Sequence, residues 1–191
     1  MTDTEFIERL NKKLESRVLK LVKNVCYVLS YGPNDVLWLV QEGVLITERN
    51  NSDGTLIGTG VYGPGMLVGV TALNGESGMI TCKPMKDTYI AGYNTKELLE
   101  LMKEDQEVMM YLVRFLCGRF RFMMNSLEMN SVRSVQERIE FFEKLIKDYD
   151  DGELVSFNDN VVAEYLGIHP VSISRARKQM YENKNKERKK Q

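Results

Sequence analysis

The chain has 191 residues, 43% of them hydrophobic, which is enough for a packed core in one large domain or two small ones. No apolar run approaches the ~20 residues of a bilayer-spanning helix. The polar opening Met1, Thr2, Asp3, Thr4, Glu5 has no signal-peptide pattern, so a cytoplasmic protein with no membrane partner is expected. The net charge of −1 conceals an asymmetry: from His169 onward eight basic residues stand against two acidic ones, a net +6 that leaves −7 on the rest. A basic end on an acidic body concentrates attraction for a polyanion in one region; the bland alternative is a solvated tail. Cys26, Cys82 and Cys117 are odd in number, far apart and never in a Cys-x-x-Cys pair, which argues against a disulfide framework or a cysteine-held metal. They read as small core residues, with Cys82 also a candidate redox or ligand-contacting thiol.

In chain order, a short amphipathic helix is expected over 4–14. Glycine-rich turns at Gly32-Pro33-Asn34-Asp35, at 50–54 and at Gly63-Pro64-Gly65 then separate short apolar runs, such as 36–40, 44–47 and 56–61. Many short, closely spaced strands predict a jelly roll or barrel. Helix resumes near Thr95, whose hydroxyl could cap 96–102. A longer helix is expected over 106–130, where Met109, Val113, Leu116, Phe120, Met123 and Leu127 alternate four and three residues apart. That is the seam of a coiled coil, and its expected partner is a second copy of the chain; packing within one monomer is the alternative. A second row, Leu112, Phe115, Arg119 and Phe122, could cover the β domain. The methionines of this region read as adaptable core filling rather than a metal site, since no helper ligands accompany them.

Periodicity lapses over 130–134, a hinge. It returns over 135–148 with Ile139, Phe142, Leu145 and Ile146, and Asp150-Asp151-Gly152 closes that helix. A strand or packed connector is expected over 154–157, and Asn158 or Asp159 can cap the next helix. Residues 161–175 then read as a helix-turn-helix. Ala163 is small where a second helix must pass close, Gly167 can take the positive φ of a tight turn, and Val162, Leu166, Ile168 and Ile173 supply buried contacts. Pro170 suits the first position of the second helix. With Ile173, Ala176 and Met180 turned inward, the outer face of that helix reads as a DNA interface: His169, Pro170, Val171, Ser172, Ser174, Arg175 and Lys178. Arg175 could reach a guanine edge, and the serines and Lys178 suit phosphate oxygens. A plain packing module is the alternative reading.

A β-rich sensor, a long dimer helix, a hinge and a C-terminal helix-turn-helix, in that order, resemble the cyclic-AMP receptor protein and fumarate-nitrate regulator (Crp/Fnr) superfamily of bacterial transcription factors. The resemblance spans most of the chain. It is carried by Leu37-Trp38-Leu39-Val40-Gln41-Glu42-Gly43, by Gly63-Pro64-Gly65 with Gly69 and Ala72-Leu73, by Arg138, and most specifically by Ala163 through to Arg175. It implies an α+β protein: an N-terminal cyclic-nucleotide-binding-like jelly roll (1–104), a dimerisation helix (105–130) and a helix-turn-helix domain with a basic tail (131–191). Double-stranded DNA and a second copy are the implied partners, with RNA polymerase a further candidate. The implied effector pocket contains Gly69, Val70, Thr71, Ala72, Leu73, Met79 and Cys82, with Phe115 or Arg119 from the long helix.

Departures from the family pattern narrow the expectation. Family members that bind cyclic nucleotide carry a glutamate just after the cassette glycine and an arginine a little further on. Here Val70 and the stretch 74–81 fill those places, and no lysine or arginine occurs from 50 to 82. A buried phosphate would lack a local cation there, so cyclic AMP is not expected to bind. An apolar or weakly polar effector, or a pocket filled by the protein's own side chains, is expected instead. An iron-sulfur centre is not expected, because the family's cysteine cluster is missing, nor is haem, because the lone histidine, His169, lies in the helix-turn-helix; no cofactor is expected. The wing that usually follows the recognition helix is replaced by polar, charged residues 181–191, so most of the wing is missing. The expected function is a sequence-specific transcription regulator sensing a small molecule other than cyclic AMP. The alternative is a ligand- or partner-binding module whose DNA-binding domain is degenerate. No nucleophile-base pair, metal spacing or phosphate loop supports an enzyme.

Overall fold

The computed structural model describes residues 1–50, 56–132, 134–147 and 159–188. Helix α1 (Asp3–Lys13) begins with a reciprocal cap: Thr2 Oγ1 accepts from Glu5 N, and Glu5 Oε2 accepts from Thr2 N. Phe6 and Leu10, one turn apart, are fully buried. The strands are β1 (Ser16–Leu21), β2 (Tyr27–Tyr31), β3 (Val36–Glu42), β4 (Leu45–Asn50), β5 (Leu56–Tyr62), β6 (Leu67–Val68), β7 (Gly78–Pro84) and β8 (Thr88–Asn94). A 3-10 turn, Val70–Asn74, lies between β6 and β7. The strands form two antiparallel sheets in the orders β1-β8-β3-β6 and β2-β7-β4-β5, the jelly-roll arrangement. Alternation of side chains about the pleat sends Trp38, Val40, Leu45, Cys82 and Ile90 into one cluster between the sheets.

Helices follow: α2 (Thr95–Glu104), α3 (Gln106–Val132), α4 (Val135–Lys147), α5 (Asp159–Leu166) and α6 (Pro170–Arg188). The cap of α2 is Asn94 rather than Thr95. The Asn94 carbonyl oxygen accepts from Lys96 N at 3.0 Å and Glu97 N at 3.3 Å, while Thr95 is fully buried as the first helical residue. α1, α2 and the start of α3 close one end of the roll through Phe6, Leu10, Leu98, Val108, Tyr111 and Leu112. The Phe6 and Tyr111 rings stack 4.0 Å apart, and the Tyr111 hydroxyl donates toward Asp3 Oδ1 (2.7 Å) and Gly65 O (3.1 Å).

The break after α3 is narrower than its sequence suggests, because helix persists to Val132 and Ser134 already caps α4, accepting from Glu137 N and donating to Glu137 Oε2. The connector expected over 154–157 and a cap at Asn158 lie outside the described residues. A third core joins the two ends of the chain: Val44, Ile46, Val61 and Met85 of the roll pack with Ile139, Phe142, Val162, Tyr165, Leu166, Ile173 and Ala176. Within it the Phe142 and Tyr165 rings lie 4.7 Å apart. Gly58 makes the approach possible, since a Cβ there would collide with the Tyr165 ring. Lys83 Nζ donates to Glu164 Oε2 at 2.8 Å across the same junction.

Candidate functional site

The turn between α5 and α6 is set by Gly167 at φ +62° and by Ile168 N donating to Ala163 O at 3.0 Å. Pro170 starts α6. His169 precedes it as a cap: its carbonyl accepts from Ser172 N, and its Nδ1 accepts from Val171 N at 3.3 Å. Ile173 and Ala176 anchor the inner face of α6. Arg177 reaches Glu143 Oε1 (3.1 Å) and Asp159 Oδ1 (3.3 Å), tying α6 to α4 and α5. The opposite face presents His169, Pro170, Val171, Ser174, Arg175 and Lys178 to solvent, with Ser172 half-buried. Val171, Ser174, Arg175 and Lys178 share one side of α6, with Val171, Arg175 and Lys178 following each other at about one turn, while Ser172 stands on the flank beside Ala176. Met180, expected inward, is only half-buried, and α6 continues without a strand through Arg188.

On α3 the two apolar rows have different fates. Leu112 is 1% exposed, and Phe115 packs on the core. In the other row Met109, Val113, Leu116, Phe120, Met123 and Leu127 are all exposed, Phe120 by 67%.

The cassette residues divide between two core clusters and the surface. Ala72 and Cys82 belong to different core clusters, Val70 and Leu73 pack at the rim of the first, and Thr71 is exposed. Met79 is 77% exposed, because the two-residue period of β7 that turns Ile80 and Cys82 inward turns Met79 outward. Gly69, at φ +83°, faces Tyr31: a Cβ there would come within 2.6 Å of its ring, and one at Gly78 within 2.7 Å of its hydroxyl. Thr71 Oγ1 donates to the Tyr31 hydroxyl at 3.2 Å. Tyr31 therefore occupies the space beside the cassette glycines.

Cys82 is the buried cysteine; Cys26 and Cys117 are exposed, contrary to the expectation of three core residues. The reason is local: Cys26 lies in the loop before β2, and Cys117 lies beside the exposed row of α3. Burial pushes the Cys82 thiol up to about 12, which argues against a redox role. Native protein treated with a thiol alkylator near pH 8 is expected to be modified at Cys26 while Cys82 reacts only after denaturation. Equal rates at both would show that the roll admits the reagent.

A cavity of about 400 Å³ lies elsewhere, between α1, the turn before β6 and α3. Met1, Asp3, Met66, Tyr111, Arg114, Phe115, Gly118, Arg119, Arg121 and Phe122 line it. Sequence reasoning placed Phe115 and Arg119 beside an effector but missed Arg114, Gly118 and Arg121. The Arg119 guanidinium lies between the rings of Tyr62 (4.3 Å) and Phe122 (4.8 Å) and donates to Val61 O and the Tyr62 hydroxyl. Gly118 sits in mid-helix, at a cost of about 1 kcal/mol relative to alanine, although a Cβ there would meet nothing within 4 Å. A second cavity, along α1, is lined by Glu5, Glu8, Arg9, Lys12, Lys13 and Glu107. Its charges are mixed in sign, and Arg9 is paired with Asp105 and Glu107.

No protein-family model matches the chain, and no curated protein matches it. Solved structures do. FixK2 from Bradyrhizobium japonicum is 19% identical with a TM-score of 0.68, over 89% of this chain and 86% of that one. CLP from Xanthomonas campestris, a c-di-GMP responsive global regulator, is 15% identical with a TM-score of 0.72, over 94% and 92%. A CRP/FNR-family transcriptional regulator from Thermus thermophilus is 13% identical with a TM-score of 0.71, over 87% of both chains. The likeness is one of fold: the chain has the α+β architecture of these regulators, as its sequence resemblance implied. Among the described residues no helix is long and apolar enough to cross a membrane.

Proposed function

We propose that this chain, folded as the Crp/Fnr regulators are, is a homodimeric, sequence-specific transcription regulator that senses a small molecule other than cyclic AMP. The observation that carries the reading is the outer face of α6, where Arg175, Lys178, Ser174 and Val171 stand clear of the packed side. α5 and α6 then form the helix-turn-helix, with α6 entering the major groove, a space about 12 Å wide that admits one helix. Pairing of the exposed α3 rows places two such helices on half-sites about 34 Å apart. Tyr31 beside Gly69 and Gly78, together with the lack of a cation from 50 to 82, supports an effector other than cyclic AMP.

α6 continues as a helix to Arg188, so phosphate contacts from this stretch would come from basic residues on a helix rather than from a strand pair. That same feature favours a second reading, a ligand- or partner-binding module whose head no longer reads DNA. Arg175→Ala separates the two. If Arg175 makes a bidentate base contact, its loss costs about 1–3 kcal/mol at one base pair and relaxes the preference there. Lys184→Ala in the tail is expected to weaken all sequences alike and lower the salt slope by about one. Affinities measured across a randomised duplex library check both. Indifference to sequence in the wild type as well as in Arg175→Ala would favour the module.

A further inference from the structure

We infer that the arginine-lined cavity against α3 is a binding site for a small organic anion with a flat apolar body, an aromatic carboxylate or an aryl phosphate. Three guanidinium-bearing side chains, Arg114, Arg119 and Arg121, line it with a single carboxylate, Asp3, whose Oδ1 already takes the Tyr111 hydroxyl. Among the described residues none of the three arginines is paired with a carboxylate. Like charges around one concavity repel each other, and an anion entering it relieves that repulsion. Arg119 is held in place by two rings and two acceptors, so little freedom remains to be lost on binding; two of its five N–H donors are committed. Phe115 and Phe122 supply apolar wall for a flat group, and the volume of about 400 Å³ is that of a small-ligand pocket.

Gly118 is the second, independent observation. No neighbour requires a glycine there, yet a side chain would project into the cavity. Its absence keeps the space open. Gly118 also lies on the side of α3 opposite Leu116, Phe120 and Met123, so pairing of two copies through that row leaves the cavity accessible. None of the cassette residues from Gly69 to Cys82 lines it. The inference deepens the sensor part of the proposed function and rests on that part only for its consequence at DNA; binding itself requires none.

The test is calorimetric titration of the full chain, without DNA, using benzoate and phenyl phosphate, with benzamide as the neutral counterpart of benzoate. Saturable binding of at least one anion is expected, with benzamide at least about tenfold weaker. Gly118→Leu should abolish it while the melting temperature stays level or rises, and Arg114→Gln, at an exposed position, should weaken it by about tenfold. The inference is overturned if neither anion binds below about 10 mM, if benzamide matches benzoate, or if both variants bind as the wild type does. Because the titration contains no DNA, failure to select a DNA site leaves its result standing, and absence of anion binding leaves the DNA reading standing.

Discussion

Phe120→Glu is expected to convert the proposed dimer to a monomer at micromolar concentration and to lower affinity for a two-fold DNA site by about 10²–10⁴. Phe120 is 67% exposed in the middle of the α3 row, flanked by Leu116 at 42% and Met123 at 58%. Burying each such side chain against a copy contributes about 1.5–3 kcal/mol, whereas two carboxylates brought together in an apolar seam would each lack a partner. Since the side chain is largely free of its own monomer, the monomer should keep its helical content. Sedimentation and circular dichroism read the two effects separately. A variant that remains dimeric would move the interface off this row.

Phe142→Ala is expected to destabilise the C-terminal helices by about 3–5 kcal/mol while leaving most of the roll intact. Phe142 is fully buried in the core that α4, α5 and α6 share with β4, β5 and Met85. The other two clusters, around Phe6 and Tyr93 and around Trp38 and Ile90, draw nothing from those helices. Trp38 is the only tryptophan and lies in the roll, its Nε1 donating to Ser30 O at 2.7 Å, so its fluorescence follows that part alone. In the variant the share of the helical dichroism that comes from α4, α5 and α6 should melt well before the tryptophan signal. A single coincident transition would mean that the two parts unfold as one unit.

What was legible in the sequence is what depends on spacing within one element. The four-and-three alternation from Met109 to Leu127 picked out the row of α3 that the fold leaves exposed. Gly167 and Pro170 fixed the turn and the first residue of α6 because each satisfies a backbone requirement other residues meet poorly. Parity was harder. In β7 either set of alternate residues is compatible with the composition, and only the pairing of Met79 with Ser30 decides that Met79 faces out. The cap of α2 was ambiguous because Asn94 and Thr95 are adjacent and both can accept a backbone N–H. The cavity had no linear signal, since Asp3, Met66 and Arg121 meet only through the fold. The one local trace was Gly118, a glycine in a helix that does not need one. The junction between roll and head was equally hidden: the Lys83 and Glu164 partners are 81 residues apart, and Gly58 acquires its meaning only from the Tyr165 ring.

Sequencing of source-genome fragments retained by the purified protein at near-physiological salt tests the DNA reading most directly. The expected result is an enriched two-fold-symmetric site with half-site centres about 10 base pairs apart, in complexes containing two chains. Retention of fragments with no common sequence, or of a single unrepeated half-site by one chain, would contradict it.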